Sequence, residues 1–306
     1  MSFISSNCSS VATSAEQAAP PGRKRLTCPE YDLAATLTSG QAFRWKLRRG
    51  GWEGVVGSHW VRLRQEGHSP RIIAQTAVPV SDWRWLTEYL QVEQDLSGVL
   101  ATFPNDAPMR AAVAACRGLR LLRQDPWECL ASFLLSSSKQ IVQIQQIVAR
   151  LCEQFGEQVV VPQGHPSVYA FPSPGRIAEA GESELRGCKM GFRAPHLRVA
   201  AQRVAAGEVD LNGVAALGVN EARDSLMRLP GVGRKIADCV LLFAYGRQAA
   251  FPVDVWVMKA LRRLYFPRRR ASLKRLREFA ATHFGPYAGY AQQYLFHYAR
   301  VHAKLN

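Results

Sequence analysis

The feature that most constrains this chain is the segment Leu229 to Cys239, LPGVGRKIADC. Apolar residues recur at helical spacing on both sides of it, in SLMRL before and IADCVLLFAYG after. Pro230 stops the first helix, and Gly231 and Gly233 permit backbone angles that other residues avoid. The local structure is therefore helix, tight turn, helix. Ile236, Val240 and Phe243, with Leu241 and Ala244, form the apolar stripe of the second helix. Lys235 falls in the first turn of that helix, where it must lose hydration or find a partner.

The exposed amides of such a turn, approached across glycines with no side chain in the way, bind phosphate. Leu-Pro-Gly-Val-Gly is the helix-hairpin-helix signature of DNA-backbone binders, so Gly231, Val232 and Gly233 are expected to meet DNA. The positive end of the helix and loss of hydration both disfavour a charged Lys235. The turn alone leaves two readings in balance, an amine nucleophile or a phosphate contact. Asp254 lies nineteen residues on, after Phe251-Pro252-Val253 and before an apolar helical run. That is an N-cap position, where an Asp usually only caps. The short return from the Lys235 helix also lets Asp254 share a cleft with the lysine. An amine beside a fixed carboxylate suits expulsion of a base from a sugar, because the carboxylate stabilises positive charge at the anomeric carbon.

The formal net charge of +15 and a pI near 9.9 call for a polyanionic partner. Apolar runs such as CVLLFAYG fall far short of a membrane span, which favours nucleic acid over a membrane. Between Arg262 and Arg277 stand eight Arg or Lys and no acid, either a solvated helix face or a phosphate-facing surface. The seven cysteines are scattered with no C-x-x-C pair, which points to a reducing, intracellular compartment rather than a disulfide framework.

Residues 1–25, rich in Ser, Ala and Pro, are expected to be a disordered tail and not a secretory signal. In 26–110, the runs GQAFRWKL, GWEGVVG, HWVRLRQE and PRIIAQT read as an antiparallel β domain. From 111 to 306 apolar residues recur every three or four positions, so the second domain is helical and the class is α+β.

These residues resemble the helix-hairpin-helix/Gly-Pro-Asp DNA glycosylase superfamily, and more narrowly its eukaryotic-type 8-oxoguanine DNA glycosylase/AP lyases. The resemblance runs from about residue 26 to 303. It is carried by SGQAFRW (39–45), RQDPWECLASFLLSS (123–137), MGFRA (190–194), LPGVGRKIADC (229–239), PVDV (252–255) and GPYAGYAQQYLF (285–296). It implies that Lys235 attacks the deoxyribose anomeric carbon, expels the base and forms a Schiff base, after which β-elimination nicks the strand. Asp254 would stabilise the sugar's positive charge, and Gly40 would offer its carbonyl to the N7 proton that guanine lacks. Gln292 and the Pro252 carbonyl would read the Watson–Crick edge, with Cys239 and Phe296 flanking the ring. Lys235 and Cys239 are i,i+4, as are Gln292 and Phe296, so each pair shares a helix face. Phe192 would wedge into the stack in place of the flipped base.

The chain departs from the family pattern opposite the lesion. Ser137, Ser138 and Lys139 stand where the family has asparagines, and Gln143 where it has an arginine; Arg193 is retained. Those family residues help read the widowed cytosine, so excision is expected opposite several bases with cytosine only mildly favoured. Trp256 replaces a phosphate-contacting histidine. No cysteine lies beyond Cys239, which argues against relatives with an iron–sulfur cluster, and Lys235 argues against the alkyl-base relatives. A catalytically silent DNA-binding module would not need both Lys235 and Asp254. The expectation is a monomer with no cofactor or metal, acting on 8-oxoguanine in double-stranded DNA wherever the genome lies.

Overall fold

The computed structural model describes residues 21–301 apart from His68, Ser138, Arg269 and Arg270. One layer is an antiparallel sheet of β1 (Arg23–Thr27), β2 (Lys46–Arg48), β3 (Gly51–Val56), β4 (His59–Gln65) and β5 (Arg71–Thr76), in the order β1-β5-β4-β3-β2. Ile72, Ala74 and Thr76 alternate inward along β5, and Leu26 of β1 sits opposite Ile72. Arg23–Arg25, read from the sequence with the disordered tail, belong to β1; Met1–Pro20 lie outside the described residues.

Helices α1 (Leu33–Thr38), α2 (Arg84–Leu90) and α3 (Leu96–Ala101) interrupt the region that the sequence presents as β-rich. They are too short to reveal a helical period, yet two carry good caps: Asp32 accepts from Ala35 N and Asp95 from Gly98 N. Within GQAFRWKL only Lys46 and Leu47 belong to a strand, β2. Gly40–Trp45 is a loop organised by the buried Gln41 amide. Its Nε2 donates to Thr36 O and Arg120 O, at 3.0 and 2.8 Å, and its Oε1 accepts from Leu122 N at 2.8 Å. Phe43 of this loop joins the helical core while Trp45 joins the sheet core, so the loop fastens the two layers together.

The second layer begins with α4 (Ala107–Ala115), so the expected boundary at 110/111 falls inside a helix. Then come α5 (Pro126–Leu135), α6 (Ile141–Phe155), the small hairpin β6 (Gln158–Val159) and β7 (Val168–Tyr169), α7 (Pro174–Glu179), α8 (Glu182–Gly187) and α9 (Ala194–Ala205). The chain closes with α10 (Val219–Met227), α11 (Arg234–Phe243), α12 (Val255–Tyr265), α13 (Leu273–His283) and α14 (Ala288–Val301). No helix among the described residues is long and apolar enough to cross a membrane.

The core helices place the site. Every residue from Ile236 to Phe243 of α11 is buried, and Phe243 stacks on Phe133 of α5 at 5.5 Å. An isolated ten-residue helix is marginal in water, whereas each large apolar side chain buried contributes about 1.5–3 kcal/mol. Packing, not propensity, therefore holds α11 and fixes the base of Lys235. Helix α14 is anchored likewise: the Tyr290 hydroxyl accepts from Leu121 N at 3.2 Å, and that of Tyr294 donates to Leu119 O at 3.0 Å.

Candidate active site

The hairpin joins α10 to α11 as the sequence predicts. Gly231 has φ 79°, and a Cβ there would lie 3.0 Å from His196 Nδ1, so both backbone and space demand glycine. Val232 is buried and pins the turn from inside, while Gly231 and Gly233 face solvent. Gly233 caps α11 with no side-chain hydrogen bond, which leaves the first-turn amides available to an anion.

Lys235 leaves the first turn of α11 and turns inward, half-buried. Its Nζ donates to Ser136 Oγ at 3.1 Å, just past α5, and lies 5.3 Å from the centroid of the Phe133 ring. Asp254 is the N-cap of α12, its Oδ1 accepting from Val257 N at 2.8 Å. Burial pushes the Asp254 carboxyl above its ordinary pKa. The α12 amide of Val257, then Lys235, the Trp256 amide and Arg300, pull it back. The carboxylate thus both caps and faces the lysine, and the two readings drawn from sequence are compatible.

Lys235 and Asp254 line one cleft of about 290 Å³ together with Gly40, Cys239, Pro252, Trp256, Gln292 and Phe296. Gly40 has φ 79°, and a Cβ there would sit 2.7 Å from Ile141 Cδ1 and 3.4 Å from Phe296 Cε1. Gln292 is 4 % exposed, and its Oε1 has no hydrogen-bond partner among the described residues. A buried unpaired carbonyl costs about 1–3 kcal/mol. Its neighbour Gln293 is satisfied, donating to Ser39 O at 3.0 Å. Burial pushes the Cys239 thiol up to about 12, so it stays a neutral, polarizable wall. The cleft therefore combines an amine, a fixed carboxylate and an orphan acceptor within apolar walls. That set can hold a planar heterocycle and act on the sugar attached to it.

Other expected residues lie apart from the cleft lining. Phe192, in a short 3₁₀ turn (Gly191–Arg193), is 63 % exposed, and the Arg193 guanidinium lies 4.2 Å from its ring centroid. Arg193 itself is 4 % exposed, and burial lowers its pKa. Gln143 is exposed on α6 with its Oε1 accepting from Gln140 N at 3.0 Å, so this group caps the helix. Ser138 lies outside the described residues, whereas its neighbour Lys139 lines the cleft. Among the cleft residues that the sequence reading did not single out are Ser136 and Arg300. Ser136 carries no local signal. Arg300 had one, since it follows Phe296 at i,i+4 on a helix. Among the described residues no group of His, Cys, Asp and Glu could hold a metal ion.

Residues 25–130 match the family model described as the 8-oxoguanine DNA glycosylase N-terminal domain, and residues 131–284 that of the HhH-GPD superfamily base excision DNA repair proteins. A probable N-glycosylase/DNA lyase of Methanothermobacter thermautotrophicus is 30% identical over 305 residues, covering 90% of this chain and 96% of that protein. An N-glycosylase/DNA lyase of Arabidopsis thaliana is 31% identical over 288 residues, covering 89% and 78%. Among solved structures, an 8-oxoguanine glycosylase/lyase of Clostridium acetobutylicum, bound to double-stranded DNA with cytosine opposite 8-oxoguanine, superposes with a TM-score of 0.82. It is 32% identical, covering 88% of this chain and 92% of that one. Both layers of the fold and the hairpin-bearing cleft thus fall within matched spans, and the chain belongs to the HhH-GPD superfamily of base excision DNA repair proteins, in its 8-oxoguanine DNA glycosylase branch.

Proposed function

We propose that this chain is a bifunctional glycosylase/AP lyase that removes 8-oxoguanine from duplex DNA, with Lys235 as nucleophile and Asp254 as its electrostatic partner. The observation that carries the reading is the cleft itself. An amine, a capped and buried carboxylate and an unpaired amide carbonyl open into one space of base size. Ser136 holds the amine at the cleft wall until a sugar arrives. Lys235 Nζ then attacks C1′ in its neutral form, and the C1′–N9 bond breaks with its electron pair leaving on the base, which takes up a proton. The attached amine gives up one proton, and the C1′–O4′ bond breaks with O4′ taking up a proton, so that C1′ becomes a protonated Schiff base. Loss of a C2′ proton then breaks the C3′–O bond and nicks the strand. Asp254 offsets the positive charge that builds at C1′.

Recognition follows from what the walls lack. Gln292 Oε1 waits for a donor, which the base's N–H edge supplies, with the Pro252 carbonyl beside it. The Gly40 carbonyl takes the N7 proton of the oxidised base. Cys239 and Phe296 flank the ring, Phe192 fills the vacated stack, and the Gly231–Gly233 hairpin with Val232 seats a backbone phosphate. Reading of the opposite base is weaker, because the Gln143 carbonyl is committed to its helix cap and Arg193 is the remaining guanidinium of that set. Trp256 adds a ring to the cleft mouth in place of a phosphate contact. A substrate of this kind puts the protein with the genome, inside the cell. Borohydride trapping on an 8-oxoguanine duplex tests the proposal, with a covalent adduct expected. Release of 8-oxoguanine without an adduct would remove the lyase half, and no release at all would remove the substrate.

A further inference from the structure

Arg300 lies on α14 one turn beyond Phe296, with Cζ 5.5 Å from the centroid of the Phe296 ring. Its Nη2 donates to Thr38 O at 2.6 Å, at the end of α1 and two residues before Gly40. Gln293, also on α14, holds the intervening Ser39 carbonyl at 3.0 Å. The loop that carries Gly40 is thus tethered to the helix that carries Phe296. The space between them is tight, since a Cβ on Gly40 would stand 3.4 Å from the Phe296 ring. Arg300 also lines the cleft opposite Asp254, and the two attract one another.

We propose that Arg300 is a positioning residue that sets the gap between Gly40 and Phe296 and presents positive charge to Asp254. The inference rests on the glycosylase reading above and deepens it. A guanidinium suits both tasks: its planar face lies against an aromatic ring while its edge donates to a carbonyl. A base stacked on Phe296 brings its N7 edge to the Gly40 carbonyl only if the spacing of these two residues is kept, so selectivity for the oxidised base depends on a residue that need not touch it. The charge acts separately. Asp254 faces Lys235 and Cys239 on α11, the amides of Trp256 and Val257 on its own helix, and Arg300 on α14; Lys139, before α6, lines the same cleft. Of these, Arg300 belongs to the base pocket and not to the attacking group, so it favours the ionised carboxylate without competing for the sugar.

Two variants separate the tasks. Arg300→Leu removes ring support, tether and charge together. Its single-turnover excision of 8-oxoguanine should fall roughly tenfold at neutral pH, the scale of losing one aromatic–cation contact and its tether. Its preference for 8-oxoguanine over guanine should narrow. The acid limb of its pH–rate profile should move to higher pH, because Asp254 then protonates earlier. Arg300→Lys keeps the charge but not the planar fork, so the acid limb should stay in place while selectivity still narrows. Wild-type selectivity in both variants, or an unmoved acid limb in Arg300→Leu, overturns the proposal whatever the absolute rate. Loss of fold alone lowers the amount of active protein without shifting either readout. If Arg300→Leu does not fold, Arg300→Lys decides, and unchanged selectivity in it is fatal. Failure of the underlying reading looks different: the unaltered protein would then release no 8-oxoguanine and form no borohydride adduct.

Discussion

Asp254→Asn should uncouple stability from catalysis. The native side chain caps α12 through one oxygen, which accepts from Val257 N at 2.8 Å, and asparagine offers the same oxygen. Asn and Asp are nearly equal N-caps, so the helix loses little. What changes is the charge. Burial, the largest influence, raises the folded-state pKa of Asp254 above its unfolded value, so the proton is bound more tightly in the folded protein. The sign follows: its favourable contribution to stability is full below the unfolded pKa and is lost as pH rises through the folded one. At neutral pH the ionised carboxylate is a net cost. Removing it leaves Lys235 and Arg300 without an opposite charge, a smaller opposing effect. The Asn variant should therefore melt at or slightly above the unaltered protein at pH 7, and the difference should vanish toward pH 4. Asp254→Ala also removes the cap, at about 1 kcal/mol, and should lower the melting midpoint by about 2–4 °C. Both variants should lose base excision by about 10²–10³-fold, the scale for a preorganised electrostatic group. The assays are calorimetry and single-turnover excision on an 8-oxoguanine duplex. Wild-type excision by Asp254→Asn, or a melting loss equal to that of Asp254→Ala, would refute this account.

Lys235→Gln should abolish both base release and the trapped adduct while duplex affinity, read by fluorescence anisotropy, stays nearly unchanged; surviving base release would rule out an amine nucleophile. Gly40→Ala forces a Cβ at φ 79° to within 2.7 Å of Ile141 Cδ1. It should cost about 1–2 kcal/mol of stability and narrow the preference for 8-oxoguanine over guanine, measured as the ratio of single-turnover rates. Binding should weaken steeply with salt, with a log–log slope near −4.5 if about five phosphates are neutralised, and a flat response would assign the +15 charge elsewhere. On four duplexes differing only opposite the lesion, cytosine preference should be narrower by roughly tenfold than two bidentate contacts would give, and a strict cytosine requirement would show that other residues read it.

Much of this was legible because short-range rules decide it. The proline, two glycines and an apolar period place the Gly231–Gly233 turn and α11, and the run after Asp254 marks a capped helix. The conversion of GQAFRWKL from strand to loop was not legible. It depends on the Gln41 side chain bonding to Arg120 and Leu122, some eighty residues away, and no local pattern encodes such a partner. Gln143 shows a second kind of hidden detail. The sequence shows that it replaces an arginine expected to help read the opposite base, but not that a capping bond three residues back holds its carbonyl. Helices α1 to α3 escaped because six or seven residues give fewer than two turns over which a period can repeat.

The features that identify the cleft are those that local folding would avoid. Asp254 keeps a partly buried charge, Gln292 leaves an acceptor unpaired, Gly40 adopts a left-handed backbone, and Lys235 stands at the positive end of a helix. The unpaired Gln292 acceptor alone costs about 1–3 kcal/mol, and the apolar packing of Ile236 to Phe243 against α5 is large enough to carry it. Three of these features are relieved by one ligand. In the proposed reaction, a base with an N–H edge would satisfy Gln292, positive charge at its sugar would satisfy Asp254, and covalent attack by Lys235 would turn its amine into part of the bound sugar. The protein is thus least satisfied where the proposed nucleotide would satisfy it most. In these terms the cleft favours the transition state over the free enzyme, and apolar packing elsewhere supports that local loss.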